Sequence, residues 1–210
     1  MLIAVLQCRC PTILEMSSRG LSRDAVAATA LRLIDDVGLP DFTMRRLAAS
    51  LGVQASAIYW HFPNKQAVLA EIADHILGAG QLLDGGDDWP DRLRREASAL
   101  REALLTYRDS AEIVASTMAL GLGSDSGMRR LTGALDSSPF SAEDTRRAAA
   151  AMLHFILGHV SLEQQRLLYD SLGARDDEPA MLHDRSKSDD FCFGVQTIVS
   201  GLEIRATSQA

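Results

Sequence analysis

Gln54, Ser56 and Tyr59 fall within one short stretch, and each can hydrogen-bond a base edge. An amide meets the edge of adenine or guanine, and a hydroxyl bonds either donors or acceptors. Between them stand Ala55 and Ala57, small enough to touch a thymine methyl or to let a helix sit deep in a groove. Lys65 follows at the start of a later helix, where unsatisfied N–H groups themselves favour phosphate. Between positions 40 and 66, Arg45, Arg46 and Lys65 face Asp41 alone, a local charge of +2 in a chain whose net charge is −7. A basic face on an acidic body suits a protein that meets DNA with one end, and argues against one that coats nucleic acid nonspecifically. Arg46 has a solvated surface charge as its equal alternative.

These side chains need rigid supports. Thr43 is placed to cap a helix over 44–50, in which Leu47 and Leu51 share a face and Ala48 allows a close crossing. Gly52 tolerates the left-handed backbone common after a helix C-terminus. Val53 then points inward, and 54–61 forms a second short helix with Ile58 on its buried side. Two helices joined by so tight a turn make a helix-turn-helix, whose second helix enters the major groove. A helix over 22–37 precedes the pair, capped by Ser22, striped by Ala27, Ala30, Leu31 and Ile34, and stopped by Gly38. Pro63 and Asn64 break the chain, and Asn64 caps a fourth helix over 65–77 with Val68, Leu69, Ile72, Ile76 and Leu77 inward.

Beyond a glycine-rich connection, helices are expected over 89–107, 112–119, 125–135, 141–169 and 191–205, with a polar loop over 172–188. With 210 residues, 47% hydrophobic content and few aromatics, the chain is expected to be all-α, not disordered. The expected division is an arm or start-site extension over 1–18, with Met16 as an alternative initiator, a helix-turn-helix domain over 19–66, and a helical domain over 67–210. Helices 141–169 and 191–205 carry more apolar surface than one domain edge hides, which points to a homodimer. Cys8, Cys10 and Cys192 make neither a disulfide framework nor a zinc site, which fits a reducing cytoplasm. Cys8 and Cys10 can bind metal or sense oxidant, against the simpler reading of a terminal accident. Leu2 to Leu6 is too short to span a membrane.

Thr43, Arg45, Leu47, Ala48, Leu51, Gly52, Val53, Tyr59, Trp60, His61, Asn64 and Lys65 together resemble the tetracycline repressor (TetR) family, over roughly 21–77. The run Ile58-Tyr59-Trp60-His61 with Asn64-Lys65 is similar to the tetracycline repressor's own branch. Weaker echoes follow at Tyr107-Arg108-Asp109, at His154-Phe155 and at Gly201-Leu202-Glu203. The resemblance implies an all-α protein: an N-terminal three-helix helix-turn-helix domain joined by a fourth helix to a C-terminal helical ligand-binding and dimerisation domain. It implies that Arg45 reaches a guanine, where a guanidinium bonding O6 and N7 gives ~1–3 kcal/mol of discrimination. It also implies that Tyr59, Trp60, His61 and Lys65 touch phosphates, with core packing as the alternative for Trp60 and a capping hydroxyl for Tyr59. The family carries larger polar and proline residues at Ala55, Ser56 and Ala57, so a different operator is expected.

The function this implies is a ligand-responsive repressor, bound to a palindromic operator as a homodimer and released by a small molecule. The alternative is an activator or redox-responsive regulator without such an inducer. Candidate pocket residues are Leu100, Leu104, Thr117, Met118, Leu131, His154 and Phe155, each with plain core as its alternative. His154 is singled out because a polar ring on an apolar helix face must bond to something. Val114 and the neighbourhood of Gly80 match the family's metal- and drug-holding histidines, so a magnesium–tetracycline effector is not expected. No glycine-rich phosphate loop, metal-ligand spacing or nucleophile–histidine arrangement is evident, so no enzyme, cofactor or metal site is expected. Asp74 and His75 are adjacent but point to different helix faces.

Overall fold

The computed structural model describes residues 21–78, 88–123, 125–171 and 185–208, and among these every regular element is a helix. α1 (Arg23–Val37) starts where Ser22 Oγ accepts the Ala25 N–H at 3.2 Å, and stops at Gly38, whose φ of +83° an ordinary residue resists. Its expected stripe is buried, with Val26 added. α2 (Met44–Leu51) begins where Thr43 Oγ accepts the Arg46 N–H at 3.1 Å. α3 (Ala55–Tyr59) is shorter than the expected 54–61. Gln54 is extended and caps it, while His61 and Phe62 both donate to the Ile58 carbonyl at 2.9 Å, closing the helix as a turn. α4 (Lys65–Gly78) follows, with Asn64 Oδ1 accepting the Ala67 N–H at 2.9 Å.

α4 packs on α1 with one side and on the C-terminal helices with the other, so seven of its residues are buried. Those helices are α5 (Trp89–Leu105), α6 (Ser110–Ala119), α7 (Ser126–Ala134), α8 (Ala142–Ser171) and α9 (Arg185–Thr207). A continuous core runs from Val26 through Ile72 and Leu100 to Val199. Arg101 of α5 binds Glu163 of α8 at 2.7 Å and lies 5.1 Å from the Phe191 ring of α9, fastening three helices at one point. At the start of α8 the Ser141 hydroxyl donates to the Asp144 carboxylate, and with Arg147 nearby this holds that carboxyl below its usual range.

A second expected boundary is corrected. Residues 185–188, read as loop, are the first turn of α9. They carry no apolar stripe, yet no glycine or proline separates them from Phe191, so the helix propagates through them. The arm over 1–18 with Cys8 and Cys10, the glycines from Gly80 to Gly86, and the loop over 172–184 lie outside the described residues.

Candidate nucleic-acid interface

The turn between α2 and α3 is fixed by backbone geometry. Gly52 is left-handed (φ +66°, ψ +27°); its N–H donates to Ala49 O at 3.1 Å, and the Val53 N–H donates to Ala48 O at 3.0 Å. This doubly bonded stop uses two carbonyls that the helix leaves orphaned. A Cβ on Gly52 would meet nothing within 4 Å, so the requirement for glycine is conformational rather than steric.

α3 gives the core one fully buried side chain, Ile58, and Phe62 supplies a second anchor just past it. Arg23 then clasps the assembly. Its Nη1 donates to the His61 carbonyl at 2.6 Å, its Nη2 pairs with Glu71 of α4 at 2.5 Å, and its guanidinium sits 4.2 Å from the Phe62 ring. The first residue of α1 thus ties the turn after α3 to α4. Sequence reasoning missed both: Phe62 carried a signal, an apolar residue directly after the candidate helix, and Arg23 carried none.

Ala55 packs on the same core, Ala57 is partly buried, and the other side chains of α3 face outward. Gln54 and Ser56 are exposed, and Gln54 makes no side-chain capping bond. Tyr59 is 50% and Trp60 89% exposed, which removes core packing as the explanation of the indole. Arg45 is exposed on α2 beside Thr43, and no ion pair holds its guanidinium among the described residues. Arg46 stands 3.9 Å from Asp41. His61 is half-buried. Lys65 is less open than a simple phosphate-binding lysine: its ammonium donates to Phe42 O at 2.9 Å and Leu39 O at 3.4 Å, tying α4 to the loop before α2. One of its three N–H donors is left for a phosphate.

Of the candidate effector residues, most belong to the core or pack against it. Leu100, Leu104 and Leu131 are fully buried, and the buried Thr117 hydroxyl reaches the carbonyls of Ile113 and Val114 at 3.0 Å. Met118 packs on the same core. Phe155 is wedged between helices, stacked on Phe191 at 5.6 Å, and Gly194 faces it so closely that a Cβ there would lie 2.2 Å from the ring. The expectation for His154 is corrected: its side chain is exposed and does not lie on the apolar face. The half-buried ring of α8 is His159, set between Phe155 and Phe191. Five residues apart, the two histidines point about 140° from each other. A cleft of about 310 Å³ opens between the end of α1 and the turn joining α5 to α6, lined by Asp35, Tyr107, Arg108, Asp109 and Gln164 with flanking leucines, and none of the seven candidates lines it.

The arrangement has known counterparts. Residues 26–72 match the bacterial regulatory proteins, tetR family, and residues 83–188 match the tetracyclin repressor-like C-terminal domain. The chain is 37% identical over 201 residues to the class C tetracycline repressor protein of Escherichia coli, across 87% of this chain and 91% of that one. The chain belongs to the TetR family. Among solved structures it is similar to BioQ of Mycobacterium smegmatis (TM-score 0.75, 35% identity, 87% of this chain and 98% of that one). BioQ bound to its double-stranded DNA operator gives a TM-score of 0.70 at 34% identity over the same shares. A TetR variant of Acinetobacter baumannii in complex with minocycline gives 0.73 at 29% identity, over 89% and 99%.

As a TetR-family member the chain is a helix-turn-helix transcriptional regulator, of a family whose repressors bind operator DNA as dimers and respond to small-molecule ligands. Its helix-turn-helix, Thr43 to His61, lies wholly inside the matched N-terminal segment. No described helix is long and apolar enough to cross a membrane.

Proposed function

We propose that the chain is a homodimeric repressor whose two α3 helices read a palindromic operator, released when a small molecule binds among the C-terminal helices. The observation that carries this reading is the outward display of Gln54, Ser56, Tyr59 and Trp60 along α3 and its two caps, an element whose one fully buried side chain is Ile58. Arg45 and the readers of α3 choose sequence; Tyr59, Trp60, His61 and the remaining donor of Lys65 hold phosphates; Thr43 fixes the start of α2. The helix-turn-helix domain takes residues 19–66, and 67–210 form the effector and dimerisation domain.

The partner surface is a second copy of this chain. Exposed residues recur at helical spacing along α8 (Ala151, His154, Gly158, Leu162, Gln165, Tyr169) and along α9 (Phe193, Thr197, Gly201, Ile204). Leu162 is 70% and Phe193 76% exposed, and space is open beside Gly158 and Gly201 for a close helix crossing. Pairing there sets two α3 helices the roughly 34–36 Å apart that successive major grooves require. Buried Val114 is aliphatic where the family resemblance puts a metal-holding histidine, which supports an effector other than magnesium–tetracycline. The reading makes the protein a cytoplasmic regulator without catalytic activity.

A gel-shift with the DNA flanking its own gene, beside light scattering for mass, tests it. A specific shift by a particle of twice the chain mass is expected. A monomer, or no sequence preference, overturns the proposal.

A further inference from the structure

α4 connects the C-terminal helices to α3, and one buried side chain grips its last turn. Arg130, midway along α7, places Nη1 3.1 Å from the carbonyl oxygen of Leu77. Its Nε and Nη2 each stand 2.8 Å from Oε2 of Glu96 on α5. The two side chains are 7% and 4% exposed. Gly127, one turn earlier on α7, lets the helices close up: a Cβ there would lie 3.2 Å from Leu77 Cδ1.

The Leu77 carbonyl is one of those a helix end cannot satisfy internally, and a cation there also complements the negative end of the helix dipole. A buried ion pair is a poor way to gain stability, since apolar residues of similar volume usually serve as well. What it adds is directionality: the guanidinium reaches the end of α4 only while α5 and α7 keep their present spacing. In a dry core a lost partner leaves a charge uncompensated, so the arrangement is either kept or replaced, not gradually loosened.

We infer that Arg130 is a positioning residue: it keys the last turn of α4 to α5 and α7 in the operator-binding arrangement, so that movement of α5 against α7 releases α4. The inference rests on the operator-binding function proposed above and assigns part of its regulation to this pair.

Two variants separate keying from mere stability. Glu96→Leu with Arg130→Met keeps the volume apolar but removes the grip on Leu77. Its thermal midpoint should stay within about 5 °C of the parent. Its operator Kd should rise about tenfold, and the amides of residues 75–78 should exchange about tenfold faster, as expected for one lost charge-assisted bond. Glu96→Gln keeps the grip while weakening the pair, so the midpoint should fall with Kd within about twofold of the parent. The inference is overturned if the double variant binds and exchanges like the parent, or if Glu96→Gln loses affinity equally. If the double variant does not fold, Arg130→Lys decides: the shorter side chain has no fork of separate nitrogens to divide between Leu77 and Glu96, so faster exchange at 75–78 is expected and parental exchange overturns the idea. Should the parent itself fail to shift DNA, the operator reading falls alone, and the exchange comparison still decides whether Arg130 keys α4.

Discussion

Arg45 and Lys65 sit 20 positions apart and are the sharpest test of how labour is divided at the proposed DNA face. Arg45→Ala removes an exposed guanidinium that no ion pair holds among the described residues, so folding should be untouched. Specific affinity should fall by about 1–3 kcal/mol, with preference relaxed at one base position. Equal losses on all sequences in a competition assay would show that Arg45 touches only backbone. Lys65→Ala should behave differently because the ammonium already holds the carbonyls of Phe42 and Leu39. Stability should drop by about 1 kcal/mol. The salt dependence of binding should also become shallower by about one ion. Lower stability with an unchanged slope would make Lys65 a structural lysine only.

Among elements, the α2–α3 turn is the most exacting. Gly52→Ala forces a Cβ into left-handed backbone, at a cost of about 1–2 kcal/mol. The midpoint in a thermal melt should therefore fall by several degrees, and an unchanged midpoint would mean the turn tolerates another conformation. Such local features are what the sequence discloses well. Ser22, Thr43 and Asn64 mark helix starts because a side-chain oxygen must lie next to the amides it caps, and Gly38 and Gly52 mark stops because few other residues adopt their dihedrals. The reach of α9 back to Arg185 was less legible, because a polar first turn has no periodic stripe. Pairings across long separations were not legible at all. Arg23 meets Glu71 and Arg130 meets Glu96 from 48 and 34 residues away, and charged residues so distant leave no spacing to read. The site fared likewise: the outward residues of α3 could be named, whereas the side chains that hold α3 in place, and the true orientation of His154, required the packed helices.

For the whole molecule the decisive quantity is the distance between two reading heads. Leu162→Glu with Phe193→Glu puts like charges on the exposed stripes of α8 and α9 without entering the core. Sedimentation should show a monomer that retains its helical circular dichroism. Operator affinity should fall by at least about a hundredfold, since each half then binds without its neighbour's effective concentration. A variant that stays dimeric would move the partner surface elsewhere.

The single anchor of α3 has an evolutionary corollary. Ile58 ties the helix down with Ala55 packed beside it, while the exposed Gln54 and Ser56 bear little of the fold's cohesion. Substitutions there exchange one address for another with little risk to the scaffold, whereas Ile58, Phe62 and Arg23 admit no such drift. On the proposed reading, a lineage can thus acquire new target genes by altering the codons for the exposed positions of this stretch and leaving its C-terminal helices intact.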